Sequence, residues 1–141
     1  MSQLLELRAV VEAAPDAVAE VLLDVRPGGR SPLATTGRIE ETDSGDEFVL
    51  LRDGSRLTVV LDRAARSVSQ QGEWWYRGVT SVEPDPRGSQ VVHRIFNVAE
   101  GNGWAVRFVS RGPLRTAPET FAEQVRQLGV RLGAKAWVVQ D

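Results

Sequence analysis

The sequence predicts an α+β fold in a single domain spanning residues 1–141, with an antiparallel sheet of about seven strands, one short helix after the first strand and a long helix near the C-terminal end. Three observations carry this prediction. Short alternating segments punctuated by turn residues fill the stretch from Ala34 to Val98. The run Trp74-Trp75-Tyr76-Arg77-Gly78 through Val82-Glu83-Pro84 turns at Asp85-Pro86-Arg87-Gly88 and returns as Ser89-Gln90-Val91-Val92-His93-Arg94-Ile95-Phe96-Asn97-Val98, a long hairpin. An apolar stripe at Phe121, Val125, Leu128 and Leu132 has helical spacing.

Each element has its own signal. Leu4 to Val11 places Leu5, Leu7, Ala9 and Val11 on one side at period two, the pattern of a strand. Ala14-Pro15-Asp16 opens a helix, because proline needs no N–H partner at the first helical position and Asp16 complements the positive end of the dipole. Val18, Val21, Leu22 and Val25 follow as one stripe, which Arg26-Pro27-Gly28-Gly29 ends. Six antiparallel strands are expected near Thr35 to Thr42, Glu47 to Arg52, Arg56 to Asp62, Ser67 to Gln71, Trp74 to Pro84 and Ser89 to Val98, with a turn at Asp53-Gly54. The final helix is expected to start at Thr116-Ala117-Pro118-Glu119, a capping-box pattern, and to stop at Gly133. Gly129 within it implies a close backbone approach.

A four-residue turn at 85–88 fixes the register of the hairpin. It pairs Val82 with Val91, Thr80 with His93, Gly78 with Ile95 and Tyr76 with Asn97, and puts Trp74 on the same face. Glu83, Gln90, Ser81, Arg77 and Arg94 fall on the other face, so the first is the concave one.

Composition excludes several functions. A net charge of −2 argues against nucleic acid as a partner, since that affinity comes from clustered Lys and Arg, and Arg107, Arg111, Arg115, Arg126 and Arg131, which make the C-terminal part basic, read as a solvated helix face. With no cysteine and one histidine, no thiolate zinc site, multi-histidine metal site or cysteine nucleophile can form, and no metal or cofactor is expected. No nucleophile elbow, phosphate-binding glycine loop or dinucleotide fingerprint occurs. The opening Met1-Ser2-Gln3-Leu4 lacks the features of a signal peptide, and no apolar run approaches the roughly 20 residues that span a bilayer, so a cytoplasmic protein without integral membrane association is expected. The acidic residues Glu40, Glu41, Asp43, Asp46 and Glu47 read as a solvated hairpin tip.

The element order and the hairpin segment just quoted resemble the START-like SRPBCC superfamily of helix-grip proteins, which includes polyketide cyclases and the birch-pollen-allergen type, and are similar to a group of its bacterial members. The resemblance implies a curved sheet wrapped around the last helix, with a cavity between them for an apolar ligand. The chain departs from the pattern at Pro27 to Pro32, which leaves room for at most a short second helix.

On that frame the ligand-binding candidates are Trp74, Tyr76, Thr80, His93, Ile95, Asn97, Phe121 and Val125. Such sites are mainly apolar, with a few polar groups that set orientation. His93 admits two readings: a structural side chain satisfied by Thr80, or an acid or base assisted by Tyr76 in a cyclase or dehydratase. The leading expectation is binding or transport of a lipid or polyketide-like molecule, with the enzyme as the alternative. Trp104 and Phe108, beside Arg107 and Arg111, form either a lid or a short helix packed on one edge. A third reading is a homodimer that pairs through outward-facing Trp75, Phe96 and Val98.

Overall fold

A computed structural model describes residues 2–34, 37–52, 54–101 and 103–140. Eight strands among them form one antiparallel sheet: β1 (Ser2–Val11), β2 (Arg38–Glu41), β3 (Glu47–Arg52), β4 (Ser55–Asp62), β5 (Ser67–Gln71), β6 (Tyr76–Asp85), β7 (Gly88–Asn97) and β8 (Ala136–Val138). Their order is β2-β3-β4-β5-β6-β7-β1-β8. Three helices accompany the sheet, α1 (Pro15–Leu22), α2 (Gly103–Val109) and α3 (Arg111–Leu132), and one 3-10 turn covers Pro32–Ala34. The curved sheet grips α3, as the fold class requires.

The β6–β7 register is the expected one, with Val82 opposite Val91, Thr80 opposite His93, Gly78 opposite Ile95 and Tyr76 opposite Asn97. Continued across neighbouring strands, it builds two inward-facing rows. One runs Phe48, Val59, Gln70, Gly78, Ile95, Leu5, and the next runs Leu61, Val68, Thr80, His93, Leu7. Gly88 closes the hairpin at φ +130 so close to β1 that an added Cβ would stand 2.7 Å from the Val11 carbonyl oxygen.

Two hydrophobic clusters hold the layers together. The larger joins Val18, Leu22, Leu50, Val59, Val91, Phe121, Val125 and Leu128 between sheet, α1 and α3. The smaller gathers Trp75, Ile95, Val106 and Ala117, with Leu114 packed on it, beneath α2 and the start of α3. The helix stops where expected, since Gly133 takes the left-handed conformation (φ 61) and donates its N–H to Val130 O. Gly129 is where α3 meets its own exit, because a Cβ there would lie 2.9 Å from the Ala134 carbonyl oxygen.

Several expectations need correction. The last helix begins at Arg111, not at Thr116, so the capping box is not a cap: the Thr116 hydroxyl lies inside the helix and points back to the Gly112 and Pro113 carbonyls, both at 3.3 Å. Pro113 sits in the first turn, where no N–H is needed, and Pro118 costs the helix one internal bond that burial of Leu114 and Ala117 outweighs. Helix α1 ends at Leu22, three residues before Val25, which is still buried. The Asp24 carboxylate shapes that exit, accepting from Arg26 Nε at 2.7 Å, Arg30 Nε at 2.8 Å and the Arg30 N–H at 3.1 Å. Trp74 and Trp75 precede β6 in a bend, so strand alternation does not reach them. Trp75 turns inward and is buried, while Trp74 is 47% exposed. Strand β8 had no sequence signal. Thr35, Thr36 and Asp53, expected in a strand start and a turn, lie outside the described residues.

Candidate functional site

Where the two clusters meet, the sheet and α3 leave a hollow. Its inner chamber, about 200 Å³, is bounded by Tyr76, His93 and Ile95 from β6 and β7, Ala117 and Phe121 from α3, and Gln70 from β5. An outer chamber of about 460 Å³ opens beyond it, bounded by Ser55, Arg56, Glu73, Trp74 and Trp75. Arg52, Leu57, Tyr76 and Pro113 line both, so they form the waist. Below Phe121 the space between helix and sheet is packed solid by the larger cluster.

The register of β6 and β7 places His93. Its Nδ1 shares a 2.8 Å hydrogen bond with Thr80 Oγ1, and its ring stacks on Phe121 with centroids 6.1 Å apart and planes at 21°. Burial pushes the imidazole pKa down to about 4, because the charged form cannot be solvated there. The ring is therefore neutral near pH 7, with one N–H and one acceptor. Nε2 makes no hydrogen bond to a described residue.

Tyr76 depends on a missing atom. Gly78 is two residues along on the same face, and a Cβ there would come within 2.5 Å of the Tyr76 hydroxyl and 3.3 Å of His93 Cε1. Glycine thus lets the phenol fold across the strand toward the imidazole, and Trp75 packs edge-on against it at 5.5 Å. Burial raises the phenol pKa, with the nearby Arg52 charge opposing, so the group stays a neutral donor and acceptor.

Arg52 closes the waist from the end of β3. Its Nε is buried and has no hydrogen-bond partner, a state that costs about 1–3 kcal/mol for a buried donor. The side chain makes no ion pair with a described residue. Sequence reading passed over it, although alternation puts it on the same face as Phe48 and Leu50. An arginine ending a strand's apolar face is the signal.

The eight candidates divide. Tyr76, His93, Ile95 and Phe121 converge on the inner chamber, and Trp74 stands at the outer one. Thr80 touches the chamber only through His93, and Val125 belongs to the packed core. Asn97 turns away, its Oδ1 accepting the Ala99 N–H at 2.9 Å where β7 ends. Helix α2 leaves Trp104 and Phe108 on the surface, 74% and 68% exposed, and buries Val106 beneath. No helix among the described residues is long and apolar enough to cross a membrane.

No protein-family model matches the chain, and no curated protein matches it in sequence. Solved structures do. The KanY protein aligns at a TM-score of 0.61 and 16% identity, covering 94% of this chain and 99% of its own. The TTHA0849 protein of Thermus thermophilus aligns at 0.56 and 16%, covering 91% and 97%. Ara h 8.0201 aligns at 0.53 and 13%, again covering 91% and 97%. End-to-end coverage at such low identity is a likeness of fold. With its short helix after the first strand, eight-stranded curved sheet and long gripped C-terminal helix, the chain has the helix-grip fold.

Proposed function

We propose that this protein binds a hydrophobic small molecule, of lipid or polyketide-like character, between its sheet and α3. The observation that carries the reading is the gap between the two core clusters, a hollow with an apolar wall of Leu57, Ile95, Pro113, Ala117 and Phe121 and a polar one of Arg52, Gln70, Tyr76, His93, Thr116, Thr120 and Gln124. A concave preformed site that sets polar groups against an apolar wall can hold and orient a small molecule. The inner chamber alone is below the size of a drug-sized site, so a ligand fills it with one end and extends past the waist into the outer chamber. Binding or carriage fits the site better than acid–base chemistry. An imidazole held near 4 is neutral at pH 7, so it is no general acid and only a weak base, and its Nδ1 is engaged by Thr80.

Titration with the neutral fluorophore N-phenyl-1-naphthylamine tests this. Saturable one-to-one binding is expected, weakened at least tenfold by Ala117→Phe, whose ring occupies the inner chamber. A melt confirms that the variant is folded. Binding unchanged in the folded variant, or no binding to the unmodified protein, overturns the proposal.

A further inference from the structure

We infer that the ligand carries an acid group, a carboxylate or sulfonate, which the Arg52 guanidinium receives at the waist between the two chambers. The inference rests on the ligand-binding reading above and narrows its chemistry. Arg52 is the one charged side chain lining the inner chamber among the described residues. The outer chamber adds Arg56 and Glu73, opposite charges that sum to zero, so the net charge lining the two chambers is that of Arg52. Several surface arginines are paired with carboxylates, as Arg26 and Arg30 are with Asp24, Arg94 with Glu6 and Arg126 with Glu123, whereas Arg56, Arg77, Arg107, Arg111, Arg115 and Arg131 make no ion pair with a described residue. Arg52 has no such partner among the described residues, and its buried Nε bonds to nothing.

Guanidinium presents donors in a planar fork matched to an oxyanion, and the pairing strengthens as water is excluded. An acid group at the waist would accept from the terminal N–H groups of the guanidinium, which make no hydrogen bond to a described residue, and the adjoining Tyr76 hydroxyl, equally without such a bond, would donate to the same group. The apolar remainder then lies against Ile95 and Phe121. Polarity thus fixes the direction of binding, acid at the waist and hydrocarbon within.

The test compares 1-anilinonaphthalene-8-sulfonate with N-phenyl-1-naphthylamine, the same ring system without the acid, on unmodified protein, Arg52→Met and Arg52→Lys. Arg52→Met is expected to weaken the sulfonate about tenfold and leave the neutral amine within twofold, which also reports an intact cavity. Arg52→Lys should recover part of the sulfonate affinity. Sulfonate binding within twofold in Arg52→Met overturns the inference while ligand binding stands, and equal loss of both probes makes Arg52 a wall and overturns it too. Sulfonate binding lost in Trp104→Ser but kept in Arg52→Met would put the anion on α2, again against it. If neither probe binds the unmodified protein, both proposals fail together.

Discussion

His93 is the only histidine in the chain, so its titration can be read from the stability of the whole protein. Burial holds the folded pKa at about 4 against an ordinary 6.5. Between these values the unfolded chain binds a proton that the folded protein refuses, so stability is complete above the unfolded pKa and falls as pH drops from 6.5 toward 4. The full gap corresponds to about 3 kcal/mol, of which about 2 kcal/mol is lost by pH 5. Carboxylates contribute little to the difference between pH 7.5 and pH 5. Asp24, despite opposing burial, is held at about 2 by Arg30 and Arg26, and Glu123 is held at about 2 by Arg126 and Gln127, so their contributions are lost as pH falls from their ordinary values of 3.8 and 4.5 toward 2, below the lower measurement. Urea unfolding at pH 7.5 and pH 5 should show the midpoint falling by about 1 M for a chain of this size. His93→Gln, which keeps a polar contact to Thr80 but does not titrate, should flatten the difference. The imidazole Hε1 resonance should stay at its neutral position down to about pH 4.5. A midpoint near 6.5, or the same pH dependence in His93→Gln, would refute the buried, neutral imidazole.

Two glycines give further predictions with opposite emphasis. Gly88→Ala forces a side chain onto a φ of +130 and into backbone atoms of Val11 and Ala13 at 2.7 Å, so unfolding should show a loss of about 2–4 kcal/mol. Gly78→Ala instead meets side chains, the Tyr76 hydroxyl at 2.5 Å and His93 Cε1 at 3.3 Å, so the phenol must swing aside and the imidazole give slightly. The better strand propensity of alanine offsets part of that crowding, and a net loss of about 1 kcal/mol is expected. The displaced phenol should nevertheless weaken N-phenyl-1-naphthylamine binding several-fold, and unchanged binding would show that Tyr76 does not shape the chamber.

What the sequence displays clearly is whatever strand periodicity and turn chemistry dictate. The Asp85 to Gly88 turn set the β6–β7 register, and that alone brought His93 beside Thr80. Alternation failed at Trp74 and Trp75 because those residues bend before the strand begins, and tertiary packing of Trp75 against Ile95 and Ala117 decided their direction. The start of α3 was hidden for a similar reason. Arg111-Gly112-Pro113 has poor helix propensity, yet Leu114 gains burial by being helical, and a well-formed capping box at Thr116 offered a false start. Strand β8 spans three residues, too few for a period to show. The hollow itself follows from volumes, how far Phe121 and the valines fill the grip and where Ala117 stops filling it, and that sum is visible only in three dimensions.

The most direct measurement is a chemical-shift map of the protein titrated with N-phenyl-1-naphthylamine. Saturable shifts should center on Tyr76, His93 Hε1, Ile95, Ala117 and Phe121, fading toward Val125 and Leu128. Shifts confined to Trp104 and Phe108 on α2, or none at millimolar probe, would contradict a ligand site inside the grip.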